Sequence, residues 1–93
     1  MKIEFDPIKS EKNARERGLP FDMVEHFVWE TALAGEDGRF PYAETRFTVL
    51  GFIGARLHFI CFTAVAGGIR VISFRKANPK EVSRYEEEKA ADG

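Results

Sequence analysis

The 93-residue chain is long enough for one modest hydrophobic core, and its 44% hydrophobic residues, nine of them Phe, exclude an intrinsically disordered protein. No apolar run approaches the roughly 20 residues of a membrane-spanning helix, and the N-terminus, with acids within its first six residues and no apolar core segment, does not resemble a secretory signal. The single cysteine, Cys61, excludes an intrachain disulfide and is typical of a reducing compartment. We therefore expect a single cytoplasmic domain over residues 1–93, without membrane association.

The net charge of −1 conceals a segregation of charge along the chain. Residues 46–85 contain seven cations and one acid, whereas residues 21–45 contain one cation and six acids. A site for an anionic ligand is therefore expected in the second half of the chain. Solvated strand ends and helix faces also carry Lys and Arg, so the composition alone leaves an ordinary charged surface as an equal alternative.

The first 18 residues predict a strand followed by a helix. Lys2–Phe5 alternates polar and apolar residues, which is typical of a short strand. Asp6 and Pro7 are the residue types of an N-cap and a first helical position, and Gly18 is the type that ends a helix. The first helix is therefore expected between Asp6 and Gly18.

Residues 20–44 predict a second helix, a short strand and a loop. The helix is expected to begin near Pro20, and its core face is formed by Phe21, Val24, Phe27 and Val28. Thr31–Ala34 is interpreted as a short strand. Gly35–Glu44 is rich in glycine and acidic residues, which indicates a long loop.

The second half predicts an antiparallel meander followed by a helix. Gly54-Ala55 and Ala66–Gly68 provide the turns that connect three predicted strands, Arg46–Ile53, Arg56–Thr63 and Ile69–Lys76. Asn78 is a predicted N-cap, with Pro79 and Glu81 completing a capping-box pattern at the start of a helix that runs towards Glu88. The predicted fold class is α+β: an antiparallel sheet, with the three-strand meander and short N-terminal strands, packed with N-terminal helices and a C-terminal helix.

Metal or covalent chemistry is not indicated by the histidine and cysteine residues. His26, His58 and Cys61 do not have the spacing of a ligand set, and no glycine-rich phosphate loop is present. Cys61 lies inside an apolar run and is interpreted as a buried core residue. We therefore expect neither a metal nor a cofactor.

The alternation of side chains along the three strands predicts a polar face on the sheet. If the polar members of each strand lie together, one face presents Arg46, Thr48, Arg56, His58, Ser73 and Arg75. The opposite face presents a hydrophobic set that would pack under the helices, Phe47, Val49, Leu57, Phe59, Cys61, Ile72 and Phe74. Lys76 neighbours Arg75 and cannot share its face, so it is assigned to the rim.

A surface with several arginines, one histidine and a nearby Tyr85 suits metal-independent cleavage of RNA. Guanidinium groups bind phosphate bidentately and stabilise its transition-state charge, and RNA supplies its own nucleophile, the 2′-hydroxyl. Tyr85 or His58 would then transfer protons. The alternatives are structural: a hydrogen-bonded sheet histidine, a tyrosine packed on the sheet, and arginines at solvated strand ends.

Three stretches of the chain carry a resemblance to a known family. The strings ETRFTVLGFIGARLHFICFT and IRVISFRKANPKEVSRYEE resemble the second half of BrnT toxins, and FDPIKSEKNARERG resembles their opening. The resemblance spans roughly residues 5 to 86 and implies a RelE-like ribonuclease fold, whose RNA cleavage halts translation. The positions that match the family's motifs are Lys9, Asn13, Glu44, Arg46, Arg75, Lys76, Glu81 and Tyr85.

The same resemblance implies a protein partner and an assembly. A BrnT toxin is neutralised by a BrnA antitoxin with a ribbon-helix-helix end, so this chain would contact DNA only through that antitoxin. The implied assembly is a hetero-oligomer in which an antitoxin dimer holds two toxins.

Two departures from the family's pattern affect the cationic residues. Glu16-Arg17 replaces a Lys-His pair, and Thr63-Ala64-Val65 replaces a Thr-x-Arg sequence. Arg17 retains a positive charge on the helix face that also carries Lys9 and Asn13.

Our interpretation is a ribonuclease toxin with two sets of site residues. The predicted catalytic residues are Arg46, Arg75, Tyr85 and His58, and the predicted RNA-binding residues are Lys9, Asn13, Arg17, Arg56 and Lys76. The alternative that the departures suggest is a catalytically weak protein that binds the antitoxin as a corepressor. A simple basic nucleic-acid-binding module is least favoured, because the aromatic residues are interpreted as core rather than as exposed stacking platforms.

Overall fold

The computed structural model describes residues 1–36 and 43–92 and confirms the α+β class. Its elements in chain order are β1 (Lys2–Glu4), α1 (Pro7–Arg17), a 3₁₀ segment (Phe21–His26), β2 (Val28–Glu36), β3 (Phe47–Ile53), β4 (Arg56–Val65), β5 (Gly68–Lys76) and α2 (Pro79–Asp92). Within the described ranges, neither α-helix has the length and hydropathy needed to cross a bilayer.

The sheet has the strand order β1-β5-β4-β3-β2, and its last four strands form antiparallel pairs. The predicted three-strand meander is therefore confirmed as β3, β4 and β5. The edge strand β1 pairs in parallel with β5, with Lys2 opposite Gly68, so the sheet as a whole is mixed. A Cβ atom on Gly68 would overlap the Lys2 carbonyl oxygen, and glycine is therefore required for this close pairing.

Helix α1 begins and ends where its capping residues predict. The Asp6 carboxylate accepts a hydrogen bond from the Ile8 amide at 2.9 Å, and Pro7 occupies the first helical position. At the other end, Gly18 has a φ of 71° and its amide donates to the Ala14 carbonyl. The capping residues therefore set where this helix begins and ends.

The predicted second helix is a short 3₁₀ segment that ends at His26. Phe21, Val24 and Phe27 are all buried, and their spacing of three matches the three residues per turn of a 3₁₀ helix. Val28, expected on the helix core face, is instead 41% exposed and begins β2. This strand extends through Glu36, so the first two residues of the predicted loop are in a strand, and residues 37–42 of that loop lie outside the described ranges.

Both faces of the sheet are covered by hydrophobic cores. The core beneath α1 and the 3₁₀ segment contains Leu19, Phe21, Val24, Phe27, Val49, Ile60, Ile69, Val71 and Phe74. The core beneath α2 contains Leu50, Leu57, Ala77 and Tyr85, with Leu33, Phe52, Phe59 and Val82 packed against it. The sheet is therefore the middle layer of a three-layer structure.

The prediction of one polar face was wrong, because the hairpin register was not taken into account. The two-residue turn after β3 pairs Ile53 with Arg56, which places Phe52 opposite Leu57 and Gly51 opposite His58. Directly opposite residues of an antiparallel pair point to the same face. As a result, Leu57 and Phe59 pack beneath α2, whereas His58 lies on the side of α1.

A substitution of Gly51 tests the tight packing of the first core. A Cβ atom at this position would overlap the Phe27 ring, whereas a Cβ on Gly35 of β2 would meet only the Thr48 hydroxyl at 3.7 Å. Gly51→Ala should lower the free energy of unfolding in urea by about 1–3 kcal/mol. Gly35→Ala is the matched control and should change it by no more than about 1 kcal/mol. Equal stability of the two variants would show that Phe27 can move aside freely.

Candidate functional site

The junction between β5 and α2 is formed by a reciprocal pair of hydrogen bonds. The Asn78 side-chain oxygen accepts from the Glu81 amide at 2.8 Å, and the Glu81 carboxylate accepts from the Asn78 amide at 2.9 Å. This arrangement confirms the predicted capping box. The Ala77 amide donates to the Leu57 carbonyl at 3.0 Å, which attaches the junction to β4. The end of β5 is therefore held at a fixed position relative to α2.

Arg75, one residue before the end of β5, is held by an ion pair and an aromatic ring. Its Nη1 and Nη2 atoms donate to the two carboxylate oxygens of Glu81 at 2.8 and 3.0 Å. The guanidinium carbon lies 4.2 Å from the centre of the Phe59 ring. The Arg75 hydrogen bonds, more than the opposing effect of burial, hold the pKa of Glu81 below its usual value. Glu81 is therefore ionised at neutral pH, and Arg75 is oriented while 28% of its side chain stays exposed.

Four predicted site residues meet around this junction. The Arg75 Nη1 atom donates to the Lys76 carbonyl, and the Arg56 Nη2 atom donates to the next carbonyl, that of Ala77, both at 3.3 Å. Lys76 lies directly opposite His58 in the β4–β5 ladder. The structure thus brings together Arg56, His58, Arg75 and Lys76, although they approach the junction from both faces of the sheet.

His58 is a neutral, buried imidazole with one basic nitrogen. Only 4% of the residue is exposed, and burial is the main cause that lowers its pKa below 6.5. The positive charges of Arg56 and Lys76 lower this pKa further, whereas the hydrogen bond to the Arg56 backbone raises it. Because a carbonyl can only accept, the 2.9 Å contact requires Nδ1–H to donate to the Arg56 carbonyl. In the neutral ring, Nε2 is therefore the basic atom.

Tyr85 faces the second core rather than Arg75. It is 9% exposed, its ring meets Phe52 edge-on at 5.6 Å, and its hydroxyl donates to the Thr31 carbonyl at 2.6 Å. Lys89, one turn further along α2, donates to the neighbouring Ala32 carbonyl at 3.4 Å. The two side chains thereby attach α2 to the irregular part of the edge strand β2. The polar contact to Arg75 comes instead from Glu81, one helical turn before Tyr85.

Arg46 lies at the other end of the sheet. It precedes Phe47, which pairs with Phe62, six positions along β4 from Arg56. At about 3.3 Å per residue this is roughly 20 Å of strand. The structure therefore does not place Arg46 beside the other predicted catalytic residues.

A separate groove of about 270 Å³ beside α1 contains three predicted RNA-binding residues. Lys9, Asn13 and Arg17 line it together with Lys12, Glu16, Phe21, Ile72 and Ser73. Asn13 has a structural partner on each side, because its amide nitrogen donates to the Leu19 and Phe74 carbonyls at 2.7 and 2.9 Å. It thus attaches α1 to β5, while the cations of the groove are exposed.

Three residues around Arg75 were not predicted as site residues. Phe59 was assigned to the core, Glu81 was interpreted as a cap and a motif position without a site role, and Arg84 was not considered. Arg84 and Phe59 line a groove of about 280 Å³ beneath α2, and the charge of Arg84 contributes to lowering the pKa of Glu81. The spacing of Glu81 and Arg84, three apart on one helix, is the sequence signal that indicates their proximity.

A third groove, of about 630 Å³, adjoins the junction and is mainly apolar. Phe52, Leu57 and Val82 contribute to it, and Arg56 and Ala77 belong to both the groove and the junction. Across residues 1–36 and 43–92, no three His, Cys, Asp or Glu side chains are grouped so that they could hold a metal ion.

Comparison with known proteins identifies one family. The model of a family described as "Ribonuclease toxin, BrnT, of type II toxin-antitoxin system" matches residues 5–81, most of the chain. None of the curated proteins compared with the chain matches it.

Replacement of Asn13 tests whether this residue stabilises the fold or contacts RNA. Asn13→Ala removes both hydrogen bonds from its amide and should lower the free energy of unfolding by about 1–3 kcal/mol. Lys12→Ala, in the same groove but exposed, is the control and should change it by about 0.5 kcal/mol or less. Urea unfolding measures both. An Asn13→Ala protein of wild-type stability would contradict the structural role.

Proposed function

The chain belongs to the BrnT family of ribonuclease toxins of type II toxin–antitoxin systems, and we propose that it cleaves RNA without a metal ion and so halts translation. The observation that carries this proposal is the convergence of Arg56 and Arg75 on consecutive carbonyls at the β5–α2 junction. Both contacts measure 3.3 Å and are long for hydrogen bonds, so a phosphate group can replace them at little cost. Lys76 follows Arg75 in the chain, lies opposite His58 in the β4–β5 ladder and adds a third positive charge.

In the proposed reaction, the cations bind the non-bridging oxygens of one phosphodiester. Their role is to stabilise the negative charge that develops as the 2′-oxygen attacks phosphorus. The attack forms a 2′,3′-cyclic phosphate and breaks the bond to the 5′-oxygen, which takes up a proton from water. Lys9 and Arg17, which line the groove beside α1, would bind the backbone of the same RNA.

His58 is the better of the two candidate bases for the 2′-hydroxyl proton. Its lowered pKa keeps the imidazole neutral at physiological pH, and its Nδ1–H is already donated, which leaves Nε2 to accept the proton. Tyr85 is disfavoured, because its hydroxyl proton is donated to the Thr31 carbonyl within the second core. Arg46 lies at the far end of the sheet and is therefore disfavoured as part of the same phosphate site.

The partner of a type II toxin is an antitoxin protein. We propose a BrnA-like antitoxin with a ribbon-helix-helix end, whose dimer would hold two copies of this chain and contact DNA on their behalf. Cleavage of translated RNA would take place in the cytoplasm.

A corepressor with weak or no ribonuclease activity is the second candidate. The pairing of Arg75 with Glu81 favours it, because that carboxylate offsets the charge of the proposed phosphate site. A protein that binds antitoxin tightly and leaves RNA intact would support this candidate.

Arg75→Ala tests the ribonuclease proposal directly. The wild-type protein, freed of antitoxin, should cleave RNA in EDTA, and Arg75→Ala should lower the rate about 100-fold, because a transition-state donor is lost. Arg70→Ala, at the other end of the same strand, removes an exposed cation bound to Glu4 and should leave the rate near wild type. No cleavage by wild-type protein, or equal rates for the two variants, would overturn the proposal.

The pH dependence of cleavage tests His58 as the base. The base must be neutral, so kcat/KM should rise with pH, with the midpoint of the rise below pH 6.5, because the pKa of His58 is lowered from that value. His58→Gln should lower kcat about 100-fold and remove this acid limb. His26→Gln, an exposed histidine, is the control and should retain the limb. Persistence of the limb in His58→Gln would assign the base to another group.

A further inference from the structure

The hydrogen bonds of Arg75 leave one edge of its guanidinium group available. The group has five N–H bonds. One Nη1–H and one Nη2–H lie on the end-on edge and donate to Glu81, and the second Nη1–H donates to the Lys76 carbonyl. The other two are Nε–H and the outer Nη2–H, which lie parallel on the side-on edge. The hydrogen bonds of Arg75 within residues 1–36 and 43–92 do not use these two N–H groups.

We propose that this side-on edge of Arg75 is the subsite that binds the scissile phosphodiester, and that Glu81 is its positioning residue. Two parallel N–H groups match two oxygens of a phosphate in the same way that the end-on edge matches the Glu81 carboxylate. The inference rests on the ribonuclease function proposed above. It adds which atoms of Arg75 bind the substrate and which residue holds them in place.

Glu81 is suited to this role because it is itself fixed at several points. One of its carboxylate oxygens accepts both from Arg75 and from the Asn78 amide, and its own amide donates back to Asn78. Its side chain is only 14% exposed, and it lies in the first turn of α2. The carboxylate therefore has little freedom to follow Arg75 if the guanidinium rotates.

Phe59 restrains the remaining degree of freedom. The carboxylate defines the plane of the guanidinium group, and the Phe59 ring lies against one face of it at 4.2 Å. A phosphate can therefore approach Arg75 only from the side-on edge or from the uncovered face. Because the guanidinium group is oriented before RNA binds, the entropy lost in orienting it does not add to the activation free energy.

The carboxylate has opposite effects on binding and on chemistry. Its negative charge offsets one cation and should weaken the general attraction of RNA, whereas its geometry should favour the bidentate transition-state contact. Removal of the charge should therefore lower kcat without raising KM. A residue with a purely structural role would not produce this separation.

Glu81→Gln is the test. Gln has one acceptor oxygen instead of two, so it can still accept from the Asn78 amide but cannot form the bidentate pair with Arg75. We expect kcat for RNA cleavage to fall about tenfold while KM is unchanged or lower. Glu87→Gln, an exposed residue of α2 with the same change of charge, is the matched control and should keep the wild-type kcat.

Asn78→Ala separates helix capping from positioning. It removes the side-chain acceptor of the Glu81 amide but leaves the Arg75–Glu81 pair, so it should lower the melting temperature while kcat stays within about twofold of wild type. A kcat for Glu81→Gln equal to or above that of Glu87→Gln would overturn the inference, as would a tenfold loss of kcat in Asn78→Ala. If wild-type protein fails to cleave RNA, the ribonuclease proposal itself is wrong, and that outcome is recognised before any variant is compared.

Discussion

The interaction on which much of this structure depends is the bidentate contact between Arg75 and Glu81. It joins the end of strand β5 to the first turn of α2, the helix that covers one face of the sheet. The same carboxylate caps the helix, so a single acidic residue organises a helix terminus and a guanidinium group at once. Residues 46–85 contain seven cations and one acid, Glu81. One acid changes the net charge of this segment little, so the effect of Glu81 comes mainly from the groups that it contacts.

The local features of the fold could be predicted from sequence, whereas the assignment of side chains to faces could not. Asp6, Pro7 and Gly18 specify α1 because each contributes a backbone requirement that acts within a few residues. Which face a side chain of β3 or β4 points to depends on which residues pair across the turn. Because Ile53 pairs with Arg56, the register differs from the one that would place the polar residues of both strands on a single face. A strand with hydrophobic residues on both faces, such as Leu57 and Ile60 on β4, indicates a buried middle layer, and this signal was available in the sequence.

Matching positions in a family need not all take part in chemistry. The resemblance to the family assigned Asn13, Glu81 and Tyr85 to motif positions, and each forms hydrogen bonds within this chain: Asn13 between α1 and β5, Glu81 at the helix cap, and Tyr85 between α2 and β2. A motif records that a residue type is required, but the requirement can come from burial of a polar backbone group as well as from a substrate. Only the hydrogen-bond partners distinguish these cases, and for Asn13 and Tyr85 a partner lies far away in sequence.

A ribonuclease that binds phosphate with arginine needs those arginines oriented but not neutralised. Full exposure would leave the guanidinium groups mobile, and complete burial in ion pairs would exclude the substrate. Arg75 lies between these extremes, since Glu81 occupies one edge, Phe59 covers one face, and 28% of the side chain remains exposed. Arg56 is held more loosely, by a single long hydrogen bond to the Ala77 carbonyl. Under the proposed ribonuclease function, the firmly held Arg75 would orient the phosphate, and the more loosely held Arg56 would adjust to it.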